Sequence, residues 1–182
     1  MKVETIEGYL LDSCIISLLF NEKDPQHAAV KARLAAIAAK GGPVLLPVMA
    51  VAEIRFGMEL AGAASAKQLA DLEAFFEKYP SHPFDDGAVE SYALIRARLL
   101  RTYGSKKTRG FKEKHLHQLC DPATRASLEI FERDLMIVSV AIEHNLILAT
   151  RDQAHGMQAI CAAAALLEAE GKPTRLRVEY WP

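Results

Sequence analysis

Short apolar runs alternate with longer stretches in which apolar residues return every three or four positions. Gly8–Leu11, Val44–Leu46 and Leu146–Ala149 are continuous apolar runs, the signature of strands buried on both faces. Leu176–Tyr180 alternates and reads as a last, edge strand. Between them the spacing is helical. Cys14–Phe20 is an apolar turn or short helix. Asp24-Pro25 reads as an N-cap and first helical residue, and the Ala-rich stretch to Lys40 stops at Gly41-Gly42. Pro47 restarts a helix to about Leu60. Ser65 with Gln68 is a capping-box pair before Leu69, Leu72, Phe76 and Tyr79. Asp85-Asp86 opens a helix to about Tyr103. Ile130–His144 is amphipathic with Asn145 as a left-handed stop, and about Gln153–Glu170 ends at Gly171. Gly104 to about Arg125 is polar and aperiodic, an insertion or long loop. Strands alternating with helices predict an α/β fold with a parallel sheet covered on both faces.

Composition changes this picture little. A chain of 182 residues, 51% hydrophobic and 25% charged, is sized for a single domain over 1–182 and is not disordered. Cys14, Cys120 and Cys161 are too few and too scattered for a disulfide framework, which suits a reducing cytoplasm. Met1–Tyr9 carries Glu4 and Glu7 and is no signal peptide. The longest apolar run, Ala159–Leu167, falls far short of the roughly 20 residues that span a bilayer.

Ligands in open α/β sheets bind beyond the carboxyl ends of the strands. Asp12 directly follows the first strand, and Asp152 closely follows Leu146–Ala149. Glu53 lies early in the helix leaving the second strand, and Asp134 near the start of another. Between Asp134 and Asp152, a helix of about 11 residues climbs roughly 16 Å. A strand of about five residues descends roughly 16 Å. Both acids therefore return to the edge that holds Asp12 and Glu53. Carboxylates gathered without cations raise each other's pKa, and Mg²⁺ or Mn²⁺ with its oxygen preference relieves this. Such an ion activates water and clamps a phosphodiester. Taken singly, each acid is also what an N-cap or a solvated strand end carries.

Three blocks resemble the PIN-domain nucleases, and more narrowly the VapC-type toxins of bacterial toxin–antitoxin pairs. They are Tyr9-Leu-Leu-Asp-Ser13, Pro47-Val-Met-Ala-Val-Ala-Glu-Ile-Arg-Phe-Gly57 and Asp134 through Ala149-Thr-Arg-Asp152. Leu176–Trp181 is similar to the family's closing strand. The resemblance implies a PIN-like three-layer α/β/α fold with a central parallel sheet. It implies a Mg²⁺- or Mn²⁺-dependent endoribonuclease whose four acids fall on Asp12, Glu53, Asp134 and Asp152. Ser13 and Thr150 match the hydroxyls that would orient a metal-bound water or an acid. A cognate antitoxin and a homodimer are implied as partners. Cys14 stands where the family usually carries Asn, and the chain is longer, mainly at about 104–129 and 153–174.

Charge sharpens one further expectation. The net charge of −1 hides a +6 segment over residues 96–133 against a −7 remainder. Lys106, Lys107, Arg109, Lys112 and Lys114 are candidates to hold RNA, with Tyr103, Phe111, His115 and His117 able to stack on unpaired bases. An acidic part of an antitoxin, or solvent alone, would also suit this segment. His115, His117, Cys120 and Asp121 match no common structural zinc spacing, and no phosphate-binding glycine loop is present. Glu132 and Glu143 read as surface residues. Two competing functions stand beside the nuclease: a non-catalytic RNA- or protein-binding module on the same scaffold, and a metal-dependent phosphohydrolase of small substrates.

Overall fold

The computed structural model describes residues 8–61 and 66–182. The chain packs as two compact units. The first holds the chain up to Pro83, His144–Arg151 and Arg177–Pro182; the second holds Phe84–Glu143 and Asp152–Leu176.

The first unit contains an all-parallel sheet of β1 (Tyr9–Leu11), β2 (Val44–Pro47), β3 (Ser81–His82), β4 (Ile147–Thr150) and β5 (Arg177–Tyr180). Their order is β3-β2-β1-β4-β5. The α/β class and the edge position of the last strand are as the pattern predicts. β1 is central: Leu10 pairs with Leu45 on one side and Leu148 on the other. Leu10 and Leu11 are fully buried, which explains the unbroken apolar run. Gly8 precedes β1 at φ +137°, and a Cβ there would stand 2.4 Å from the Pro43 carbonyl oxygen. That oxygen accepts the Tyr9 amide at 2.9 Å, so glycine permits the close approach.

Helices α1 (Ser13–Phe20), α2 (His27–Ala39), α3 (Val48–Ala61) and α4 (Ala66–Lys78) complete this unit. α2 begins two residues later than Asp24-Pro25 suggested. The Asp24 carboxylate accepts the Gln26 amide at 2.9 Å, closing a local turn that competes with the helix. The stop is as expected: Gly41 takes φ +71°, and the amides of Gly41 and Gly42 reach Ala38 and Ile37. Of the capping-box pair, Ser65 lies outside the described residues, and Gln68 falls in the first turn of α4.

The second unit is built on α5 (Asp86–Tyr103), α6 (Glu132–Glu143) and α7 (His155–Ala169), with α5 packed on both others. Asp85 caps α5 by accepting the Ala88 amide at 3.0 Å. Leu135, Ile137, Val138 and Ala141 are buried, as the periodicity of α6 requires. The segment after α5 is polar but anchored. Leu116, Leu119 and Leu128 are buried, Leu116–Gln118 forms a 3₁₀ turn, and Lys106–Phe111 and Cys120–Ser127 form antiparallel bridges.

Glu132 corrects the surface reading. It accepts from Tyr92 at 2.5 Å and pairs with Arg96 at 3.1 Å. Burial pushes its carboxyl up, but the Arg96 and Tyr92 hydrogen bonds outweigh this and hold it below its usual range. Glu143 is exposed as expected. Among the described residues no helix is long and apolar enough to cross a membrane.

Candidate functional site

In the first unit, Asp12 sits at the carboxyl end of β1 and caps α1. The fold puts it there because the apolar run ends and its amide still joins the ladder, donating to Ala149 O at 2.9 Å. The residue is only 7% exposed. Oδ1 accepts the Ser13 amide at 2.6 Å, and Oδ2 accepts the Thr150 hydroxyl at 2.6 Å. Thr150, the last residue of β4, is fully buried. Among the described residues no Lys, Arg or His pairs with Asp12. A buried carboxylate with neutral donors and no cationic partner is costly. A hard divalent cation on its remaining lone pairs would offset that cost, so Asp12 suits an oxygen-ligated metal.

Sequence reasoning missed the part played by Cys14. Its Sγ lies 3.2 Å from Asp12 Oδ2 and 3.4 Å from Thr150 Oγ1, and it accepts the Arg151 amide at 3.4 Å. Burial first, then the Asp12 charge, push the thiol up to about 12. It therefore stays S–H at neutral pH and serves as a donor. The signal was available: a residue two beyond an N-cap aspartate at a strand end lies within reach of that carboxylate. The Ser13 hydroxyl contributes less than expected, at 3.4 Å from Oδ1; its amide does more.

Thr150→Val keeps the shape and removes the charge-assisted hydrogen bond. It is expected to cost about 1.5–3 kcal/mol, read as a lower urea midpoint at constant m-value. An unchanged midpoint would show that the bond adds nothing.

Glu53 also belongs to the first unit, half-buried in the second turn of α3, which leaves the carboxyl end of β2. β2 neighbours β1 in the sheet. Asp134 and Asp152 belong to the second unit. Asp134 lies in the first turn of α6, where the helix dipole favours its charge, 3.4 Å from Arg133 Nε. Asp152 Oδ1 accepts the Ala154 amide at 2.8 Å before α7. Among the described residues no group of three or more His, Cys, Asp or Glu side chains forms a ready metal cage.

The basic segment divides in two. Arg96 pairs with Glu132 and Arg98 with Glu170. Lys106, Lys107, Arg109, Lys112 and Lys114 are all exposed, and none is ion-paired with a described residue. A tight turn presents them: Lys107 N donates to Gly110 O at 3.0 Å, and Lys112 N to Ser105 O at 2.8 Å. Gly110 supplies the left-handed φ of +79°. Such a loop attracts polyanions.

Residues 9–105, just over half of the chain, match the PIN domain family. Three solved structures are similar in fold. VapBC2 from Rickettsia felis, bound to a promoter DNA fragment, has a TM-score of 0.59 and 16% identity, over 96% of this chain and 98% of that one. DNA-bound VapBC from Salmonella typhimurium has 0.56 and 17%, over 96% and 98%. FitAcB from Neisseria gonorrhoeae has 0.52 and 26%, over 83% and 92%. No curated protein matches the chain.

Proposed function

The chain belongs to the PIN-domain family, whose members are generally nucleases, and from that premise we propose that it is a metal-dependent endoribonuclease, the toxin of a type II toxin–antitoxin pair. The observation that carries this is Asp12: a buried strand-end carboxylate held by Thr150, Cys14 and the Ser13 amide, with no described cationic partner. Asp12, Glu53, Asp134 and Asp152 would hold Mg²⁺ or Mn²⁺. When bound, the ion lowers the pKa of water and neutralises charge on the phosphodiester.

The chain's own residues do the positioning. Thr150 and the Ser13 amide each hold one oxygen of the Asp12 carboxylate, and Cys14 approaches it from the α1 side. Preorganised ligands of this kind bind metal more tightly than mobile ones. Lys106, Lys107, Arg109, Lys112 and Lys114 would hold the RNA backbone. The likeness to VapBC assemblies supports a cognate antitoxin as partner, and the homodimer and cytoplasmic setting belong to the same reading.

The test is cleavage of single-stranded RNA. Cleavage is expected with Mg²⁺ or Mn²⁺, and EDTA is expected to abolish it until the ion is restored. Cleavage that persists in EDTA refutes the metal requirement. Turnover of small phosphate esters without RNA cleavage favours a phosphohydrolase.

A further inference from the structure

The polar segment after α5 contains a feature that the general charge of the loop does not require. A cleft of about 500 Å³ lies wholly within the second unit. That volume is within the roughly 300–1,000 Å³ of small-ligand sites. Tyr103, Lys112, Glu113, Gln118, Cys120 and Arg125 are among its lining residues. It therefore offers two cations, an amide and an aromatic ring. Lys112 and Arg125 are exposed, and neither is ion-paired with a described residue. Glu113 is the opposing charge; its Oε2 is engaged by the Ser105 amide at 2.7 Å, which braces the loop.

Arg125 adopts an uncommon backbone conformation. Its φ is +64°, a left-handed conformation that a bulky L-residue seldom adopts. The surrounding turn enforces it. Asp121 Oδ1 accepts the amides of Ala123 and Thr124 at 2.9 and 2.7 Å, and the Arg125 amide donates to Asp121 O at 2.9 Å. Glycine would serve this position with less strain, so the turn places a guanidinium at the cleft against local preference. Strain of this kind persists only where the surrounding structure enforces it.

The 3₁₀ turn that supplies Gln118 also carries His117, and His115 precedes it as its N-cap residue. Their rings are stacked at 5.5 Å with only 6° between planes, and both are exposed. Flat aromatic faces of this kind can stack on unpaired bases.

We infer that the cleft between Tyr103, Lys112, Gln118 and Arg125 binds one nucleotide of single-stranded RNA, with its phosphate on Lys112 and Arg125 and its base against the Tyr103 ring. This deepens the nuclease reading and rests on it. Each phosphate contact to a single strand adds about 0.7 to the slope of log K against log salt. From 1 M down to 0.1 M salt, one contact is therefore worth about fivefold in affinity.

The experiment measures binding of a fluorescent single-stranded RNA to the full chain in EDTA, from 0.05 to 0.5 M salt. Arg125→Gly and Lys112→Ala are each expected to weaken binding about fivefold at 0.1 M salt and to lower the slope by about 0.7. Lys31→Ala, the same charge change at an exposed position of α2, is expected to alter it less than twofold. Arg125→Gly relieves the left-handed strain while loosening the unfolded chain, so its melting temperature should match that of the parent. RNA held as tightly by both cleft variants as by the parent overturns the cleft but leaves the nuclease reading standing. RNA neither bound nor cleaved by the parent removes both. An oligo-glutamate peptide whose binding depends on Arg125, while RNA binding does not, overturns the inference in favour of a protein partner.

Discussion

Asp12→Asn is expected to slow metal-dependent RNA cleavage at least a thousandfold, about 4 kcal/mol of transition-state stabilisation. The substitution is isosteric. The Asn oxygen still accepts the Ser13 amide, now 2.6 Å from Oδ1, so the cap on α1 survives. The new NH₂ faces Thr150 Oγ1 and Cys14 Sγ, both of which have lone pairs to accept it. What disappears is the negative charge. The fold is therefore expected to hold while affinity for Mn²⁺ drops, and calorimetric titration of the ion reads this independently of turnover. Asp12→Ala would confuse the two, because it also removes the cap. A D12N protein that cleaves RNA at the parental rate would sink the assignment of this carboxylate.

Leu10→Ala is expected to destabilise the protein by about 3–5 kcal/mol. Leu10 is fully buried in β1, with β2 and β4 bonded on either side. Hydrogen-bonded neighbours on both edges cannot collapse into the space, so the cavity cost adds to the lost transfer energy. A fall in the urea midpoint at constant m-value is the expected readout. A loss under about 1 kcal/mol would mean that the sheet relaxes around the deletion.

Both predictions depend on features that differ in how they were written into the chain. The run Tyr9–Leu11 announces a central parallel strand because both its faces are buried, and no alternation survives. Gly41, Asn145 and Gly171 announce helix ends because each takes a left-handed φ that few other residues tolerate. Asp85 announces α5 through a cap made within three residues. The start of α2 was less legible. Asp24 had two local partners open to it, a helix or a two-residue turn, and the turn won.

Part of the candidate site was legible for the same reason. Asp12 follows an apolar run directly, so its place at a strand end needs no knowledge of the rest of the fold. Its partners are another matter. The Thr150 hydroxyl that reaches Oδ2 is 138 residues away in the chain. Arg96 and Glu132 are 36 residues apart, and nothing in either neighbourhood marks them as a pair.

The sequence by itself determined the local facts: where strands and helices fall, where they stop, which carboxylates follow strand ends, and where positive charge collects. Each depends on interactions spanning only a few residues. Only the tertiary structure decided that the Cys14 thiol donates to Asp12, that Glu132 is tied to Arg96 and Tyr92, and that a polar loop folds into a cleft. Those outcomes depend on directional contacts only a few ångströms long. Such contacts exist only when strand pairing and helix packing bring distant segments into register, and periodicity along one element carries no record of its neighbours.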